Sequence, residues 1–157
     1  MKAESLVAVW ATVILVACAP LQHAPTSSSG LKEEVAAFLT DYLAAIGSRD
    51  TTKIRNSYVT DDRFVWIEDG KVRYRRVDDV LASLATFPAG SAIRTEIKDL
   101  TVVPVSQSAA NAWATFRTSV GEGASGFSYG GAISFTLERQ GTTWKIVDGH
   151  TSSPSRR

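Results

Sequence analysis

The spacing of apolar residues is mainly helical in the first half of the folded region and strand-like in the second, and that difference limits the folds the chain can adopt. Between residues 31 and 85, apolar residues recur three and four positions apart, which is the period of amphipathic helices. The rest of the chain carries four β-prone segments joined by short links, at 94–105, 110–120, 128–138 and 143–151. Helices followed by strands predict an α+β fold, with helices on one face of a curved antiparallel sheet.

Three helices are predicted in the first half of this region. Gly47 is a natural stop for the first helix, and Asp50 can cap a second, short helix that reaches Tyr58. The third helix covers 77–85 and ends before Pro88. The apolar stripe of the first helix consists of Leu31, Val35, Phe38, Leu39, Tyr42 and Ile46.

A hairpin is predicted between the second and third helices. Asp69 and Gly70 separate two short β-prone runs, and an Asp-Gly pair in that position is typical of a type I′ turn. The sheet should therefore contain two short strands in addition to the four long ones.

The amino terminus has the pattern of an export signal. Residues 6–17 carry no charge, and twelve residues are too few for the roughly 20 that span a bilayer but suit a signal-peptide core. The sequence Leu15-Val16-Ala17-Cys18 follows directly and resembles the bacterial lipobox. The resemblance implies a signal peptide at 1–17 and a diacylglycerol group on Cys18. A plain secretory signal with a chance cysteine, or a short amino-terminal anchor, is the alternative.

The same resemblance predicts a location, and the composition and spacing of the following residues predict the domain arrangement. Lipoproteins that are retained in the inner membrane carry Asp directly after the lipidated cysteine, and this chain has Ala19 there. The resemblance therefore implies an outer-membrane anchor facing the periplasm. Residues 18–30 hold the lipidated cysteine and an uncharged stretch with two Pro and three consecutive Ser, typical of a flexible tether. The folded domain is predicted at 31–153 and a short tail at 154–157.

Composition argues against several functional classes. Lys plus Arg number 17 and Asp plus Glu number 16, so the basic surface of a nucleic-acid binder is not expected. A single Cys excludes an intramolecular disulfide and any multi-cysteine metal site, and two His leave little for a histidine-based one. We predict no metal site and no cofactor.

The order of elements and the end of the chain resemble the nuclear transport factor 2-like superfamily, in its SnoaL-like branch. The resemblance rests on Tyr58-Val59-Thr60-Asp61-Asp62, on Phe64-Val65-Trp66 and on the closing run WKIVDGHTSS at 144–153. It implies a cone-shaped, curved antiparallel sheet wrapped on three amino-terminal helices, often around an apolar cavity. The superfamily includes isomerases, cyclases, dehydratases, transport factors and binding modules, so the fold leaves the function open.

An acid and an imidazole in the last strand are the candidate catalytic groups. Simple alternation places Asp148 and His150 on the same face as Trp144 and Ile146, which should belong to the core. Asp148 and His150 would then face the cavity and could abstract a proton next to a carbonyl. The alternative is a structural His150 that ties the strand end to a helix, beside a partly exposed Asp148.

Aromatic residues supply a candidate pocket and a candidate interface. A ligand pocket could be lined by Tyr58, Phe64, Trp66, Phe135 and Ile146, although such residues are more often plain core. In the strand 110–120, Trp113 and Arg117 alternate with residues suited to the core, which places them on the outer face of the sheet. That face would suit a homodimer, because Trp and Arg are enriched at interfaces.

Three functions remain open at this point. The first is non-catalytic binding of a small apolar ligand or a protein partner by an envelope lipoprotein. The second is a cofactor-free enzyme, like ketosteroid isomerase or a polyketide cyclase or dehydratase, that uses His150 and Asp148. The third is a structural envelope protein that dimerises. An open cavity walled by the two polar residues would favour binding or catalysis, and a filled cone with an exposed apolar outer sheet would favour dimerisation.

Overall fold

A computed structural model describes residues 27–88, 90–121 and 126–154 of the 157-residue chain. Within these ranges the chain forms helices first and then the long strands, which confirms the predicted α+β class. The elements are α1 (Ser28–Ser48), α2 (Thr51–Asn56), β1 (Val65–Glu68), β2 (Lys71–Tyr74), α3 (Val77–Ala85), β3 (Ile93–Pro104), β4 (Ala109–Val120), β5 (Phe127–Gln140) and β6 (Thr143–Ser152). The predicted signal peptide and the lipidation of Cys18 lie outside the described residues.

Helix α1 is longer at both ends than its apolar stripe suggested. It begins at Ser28, inside the predicted tether, because the Ser27 hydroxyl accepts a hydrogen bond from the Gly30 amide at 3.2 Å and caps the helix. At the other end Gly47 stays helical, and Arg49 takes the left-handed cap with φ 55°. Gly47 is needed for another reason, since a Cβ there would lie 2.9 Å from the carbonyl oxygen of Ile93.

The six strands form one open, curved sheet with the order β2-β1-β6-β5-β4-β3. Strands β3 to β6 are the antiparallel meander that the short links predicted. The hairpin of β1 and β2 turns through Asp69 and Gly70, both with positive φ (48° and 76°), as a type I′ turn requires. The pairing of β1 with β6 is parallel, which departs from the all-antiparallel expectation. No hairpin joins these two strands, since β2, α3 and β3 to β5 lie between them in the chain.

The helices cover one face of the sheet, here called the inner face, and leave the outer face open. In β4 every second side chain from Ala110 to Val120 is buried, and those between them are exposed. Trp113 and Arg117 belong to the exposed set, as the alternation predicted. The inner face and the helices share one core, to which α1 contributes Leu31, Val35, Leu39, Tyr42 and Ala45.

Two arginines tie the helices to the rest of the domain. The Arg49 guanidinium donates to the carbonyl oxygens of Phe87, Pro88 and Ser91, which fixes the link between α3 and β3 against the end of α1. Near the other end of α1, the Arg139 guanidinium lies 4.8 Å above the Trp144 ring and pairs with the Glu34 carboxylate. The first set of contacts anchors the carboxyl end of α1 to the link between α3 and β3, and the second anchors its amino-terminal half to β5 and β6.

Candidate functional site

The five residues predicted to line a pocket lie together in the core. Their relative exposures are 1% for Tyr58 and Phe64, 8% for Trp66, 3% for Phe135 and 0% for Ile146. Tyr58 and Phe64 pack edge to face with ring centroids 4.9 Å apart. Trp66 and Phe135 make a similar contact at 6.2 Å. These contacts between the side chains themselves favour the core interpretation that the sequence had left open.

A pair of buried tyrosines is the main polar feature of that core. The hydroxyls of Tyr42 and Tyr58 are 2.6 Å apart, and their rings pack edge to face at 5.7 Å. Burial raises the pKa of Tyr42 to about 12, and burial also raises the pKa of Tyr58, with the neighbouring Tyr42 adding to it. Both phenols therefore stay neutral near neutral pH and can donate a hydrogen bond, but neither can act as a base.

Sequence reasoning had placed Tyr42 only in the apolar stripe of the first helix. It missed the pairing because Tyr58 was assigned to a continuing helix. The structure ends α2 at Asn56, and Tyr58 instead forms a parallel bridge to Ile146. The sequence did carry a signal for this pairing. Tyr42 and Tyr58 both lie on predicted apolar helix faces, where a buried hydroxyl needs a hydrogen-bond partner.

A β-bulge in β6 reverses the predicted orientation of Asp148 and His150. Ile146 lies opposite Leu137 and Asp148 lies opposite Thr136, so Val147 is an extra residue in the register. The extra residue shifts the alternation by one position. The prediction that Asp148 and His150 face a cavity is therefore wrong, because both lie on the outer face.

The residue between them takes the inward position. Gly149 is buried and lies opposite Trp66 of β1 and Phe135 of β5, both of which belong to the core. A Cβ built on Gly149 would lie only 2.1 Å from Cζ3 of Trp66. The Trp66 ring thus occupies the space on the inner face that a side chain at position 149 would otherwise fill.

Asp148 and His150 are neighbours on the outer face and both are half-buried. Partial burial raises the pKa of the Asp148 carboxyl above its usual value, and the charge of a protonated His150 acts in the opposite direction. The carboxyl and the imidazole are still an acid and a base side by side, as the residue types suggested, but they lie on the surface of the sheet and not in a cavity.

A row of directly paired residues crosses the outer face through His150. Each residue lies opposite the next on the neighbouring strand, so all point to the same side. Two members are large apolar residues with high exposure, Val72 at 49% and Trp113 at 47%. From β2 to β3 the row runs through Val72, Ile67, His150, Ser134, Trp113 and Thr101.

A groove of about 290 Å³ lies on the other side of the domain, between α1 and β3. It is open to solvent and is lined mainly by apolar atoms of the helix and the strand. Its lining residues include Leu43, Ile93 and Ile97, with Arg94 at its side. None of the five predicted pocket residues contributes to it.

Neither a metal site nor a membrane span is found in the part of the chain that the structure describes. No group of three or more His, Cys, Asp or Glu residues comes together there as a metal ion would require. No helix within the same residues has the length and apolar character needed to cross a bilayer.

Comparison with known sequences assigns the domain. Residues 35–156 match the SnoaL-like domain family. The chain belongs to this family. The assignment confirms the resemblance to the nuclear transport factor 2-like superfamily and its SnoaL-like branch. Among curated proteins, none matches the sequence.

Solved structures share the fold of this SnoaL-like protein at low sequence identity. A protein of unknown function from Pseudomonas putida aligns with a TM-score of 0.68 and 19% identity, covering 82% of this chain and 90% of its own. A proposed scytalone dehydratase from Novosphingobium aromaticivorans has a TM-score of 0.68, 12% identity and coverages of 78% and 83%. The beta subunit of benzoate 1,2-dioxygenase from Burkholderia mallei has a TM-score of 0.66, 12% identity and coverages of 78% and 89%. At such identities the likeness is one of fold.

Proposed function

We propose that this SnoaL-like protein is a non-catalytic binding module for a protein partner, and that the outer sheet face is its binding surface. The observation that carries the proposal is Trp113, which lies in the row across that face with 47% of its surface exposed. Trp is among the residues most enriched in the centres of interfaces. The aromatic residues that could have lined a ligand pocket are instead packed against one another.

The position of Asp148 and His150 supports binding over catalysis. An isomerase, cyclase or dehydratase would need its acid and base in a concave site that excludes water. Both residues lie on the open outer face, where water can surround a small substrate. The fold itself permits either role, since it occurs in a proposed dehydratase and in a subunit of a dioxygenase.

Photo-crosslinking in the native cell tests the surface assignment. A photoreactive amino acid at Trp113 should give discrete protein adducts, because the surface there is held against a partner. The matched control is the same amino acid at Lys53, whose side chain is 74% exposed on α2. Equal adducts at both positions, or none at Trp113, would contradict the proposal.

A small apolar molecule is the second candidate ligand, and the groove between α1 and β3 is the observation that favours it. Native mass spectrometry of protein purified from its own membranes would detect such a ligand and the assembly state together. A bound mass that disappears in Ala44→Trp, which fills the groove, would support this candidate.

We also propose that the domain is held at the cell envelope by a lipid on Cys18, at the outer membrane facing the periplasm. The support is the run Leu15-Val16-Ala17-Cys18 after an uncharged segment. Cys18→Ser should abolish acylation and release the protein from the membrane fraction or leave it uncleaved. Wild-type protein without diacylglycerol on Cys18, shown by mass spectrometry of the amino-terminal peptide, would contradict the anchor.

A further inference from the structure

The groove between α1 and β3 has a sheet edge as one of its walls. Within the described residues β3 pairs with β4 alone, so every second residue along it directs its backbone N–H and C=O groups away from the sheet. The Gly121 amide donates to the carbonyl oxygen of Ala92, which fixes the phase of this alternation. The groups that point away from β4 therefore belong to Ile93, Thr95 and Ile97, and all three residues line the groove.

The helix confirms that phase and shows where the open edge begins. A Cβ on Gly47 would lie 2.9 Å from the carbonyl oxygen of Ile93, so this oxygen points toward α1 and not toward β4. Further along the strand, the backbone N–H and C=O groups of Thr95 and Ile97 have no hydrogen-bond partner among the residues that the structure describes. These two residues offer two donors and two acceptors in one line.

The opposite wall offers apolar contact to a strand laid on that edge. Leu43 and Ala44 of α1 line it, and the exposed Ala44 is small enough to let a backbone approach. The groove holds about 290 Å³ and is open to solvent, whereas small-molecule sites enclose roughly 300–1,000 Å³. Its size suits a few side chains of a longer ligand.

The outer-face residues of the same stretch of β3 alternate in charge. Arg94, Glu96 and Lys98 are all exposed. A strand added at the edge would place one residue directly beside each of them. Charge complementarity favours acidic residues beside Arg94 and Lys98 and a basic residue beside Glu96. The residues between these would point into the groove and contact Leu43 and Ala44, where aliphatic side chains fit.

We infer that this groove binds an extended peptide segment of a protein partner by strand addition to β3, with residues in the order acidic, aliphatic, basic, aliphatic, acidic. Hydrogen bonds to Thr95 and Ile97 supply affinity, and the alternating side chains supply specificity. A small apolar molecule in the same groove would cover these backbone groups without pairing them, which is unfavourable. The break in register after Lys98 confines the added strand to the stretch 93–98. This inference goes beyond the proposed function, because it concerns a different surface from the one around Trp113.

A designed peptide tests the recognition. The isotope-labelled protein, purified from its own membranes and placed in lipid nanodiscs, is titrated with acetyl-Glu-Val-Lys-Val-Glu-amide while amide hydrogen exchange is followed by NMR. Exchange at Thr95 and Ile97 should slow about tenfold when about 90% of the protein is bound. The amides of Glu96 and Lys98 face β4 and are internal controls that should not change. The charge-inverted peptide acetyl-Lys-Val-Glu-Val-Lys-amide should bind about tenfold more weakly or worse.

Charge reversals in the protein locate the site. Arg94→Glu with Lys98→Glu should raise the dissociation constant of the first peptide about tenfold or more, and should create binding of acetyl-Lys-Val-Lys-Val-Lys-amide. The matched control, Lys71→Glu with Arg75→Glu, makes the same charge change at the opposite edge of the sheet and should leave the affinity of the first peptide unchanged. Ala44→Trp fills the groove and should abolish binding. Thermal melts establish that each variant is folded, and Ala44→Leu replaces Ala44→Trp if that variant is not.

N-methylated peptides separate backbone recognition from side-chain contact. Methyl groups on both valine nitrogens block the bonds of an antiparallel added strand, and one on the lysine nitrogen blocks those of a parallel strand. One of these two peptides should lose binding. If both bind as well as the unmodified peptide, or if exchange at Thr95 and Ile97 is unchanged at saturation, strand addition is excluded.

Two other occupants of the groove are distinguishable outcomes. If the peptide does not bind and native mass spectrometry shows a small apolar molecule that Ala44→Trp removes, that molecule is the ligand and the inference is wrong. Self-association that is lost in Ala44→Trp, measured by analytical ultracentrifugation without peptide, would assign the edge to a second copy of the chain and would also overturn it. None of these results involves Trp113, so the crosslinks at that position test the proposed function separately.

Discussion

The indole ring of Trp66 fills the space into which a side chain on Gly149 would project. A Cβ at that position would lie 2.1 Å and 2.2 Å from two carbons of the ring, and ring atoms cannot move aside as a flexible chain end can. Because the bulge at Val147 turns position 149 inward and leaves Asp148 and His150 facing outward, this contact restricts position 149 to glycine.

Gly149→Ala should destabilise the domain by about 1–3 kcal/mol or more, because the added methyl group overpacks the core against Trp66. The free energy of unfolding measured with urea checks this. In a Trp66→Leu background the ring is gone, so the cost of adding Ala at position 149 should shrink markedly. An equal cost in both backgrounds would mean that the ring does not set the limit.

Trp144→Ala should cost about 3–5 kcal/mol in the free energy of unfolding. The side chain is 4% exposed, and the substitution also removes the surface on which the Arg139 guanidinium lies. Trp113→Ala is the matched control, since 47% of that side chain is exposed. The control should change stability by no more than about 0.5 kcal/mol. Similar losses for both would contradict the assignment of faces.

Tyr42→Phe or Tyr58→Phe should each cost about 1–3 kcal/mol, because either change leaves the other hydroxyl buried without its partner. The double variant removes both hydroxyls, so its cost should be clearly less than the sum of the single ones. Tyr129→Phe serves as a control on a residue that is 44% exposed. Additive costs would show that the two hydroxyls do not depend on each other.

The stability of the domain should depend on pH through Asp148. Its pKa is raised from 3.8 in the folded state, chiefly by burial, so the folded protein holds the proton more tightly than the unfolded chain does. The resulting stabilisation of the folded state is fully present below the pKa that Asp148 has in the unfolded chain. It is lost as the pH rises through the pKa that Asp148 has in the folded protein. As the pH rises between these two pKa values, the free energy of unfolding of the wild-type protein should therefore fall relative to that of Asp148→Asn. An NMR titration showing a pKa at or below the usual value would contradict this.

Much of the fold was predictable because the relevant signals are local. The helical period from Leu31 to Ile46, the capping Asp50 and the Asp69-Gly70 turn each act within a few residues. The parallel pairing of β1 with β6 depends on contacts between residues about 80 positions apart. Nothing in either strand alone indicates its partner.

The candidate site was less predictable, because alternation fails at a bulge. Strict alternation from Trp144 places the Asp148 side chain on the inner face. The single extra residue at Val147 reverses that orientation. Gly149 was the available warning, since a glycine inside a strand often marks a bulge or a close contact. Its meaning depends on Trp66, which is far away in sequence and adjacent only in the folded chain.

Strand β3 lies at one edge of the sheet, and its irregularity has a consequence for solubility. A straight edge of twelve residues would offer its free backbone groups to a strand from another molecule and so favour aggregation. The register breaks between Lys98 and Thr101, where Asp99 adopts φ 55°. An incoming strand would find only short regular stretches on either side of that break. One unusual backbone conformation thus shortens the stretch of edge that could take part in fibrous association.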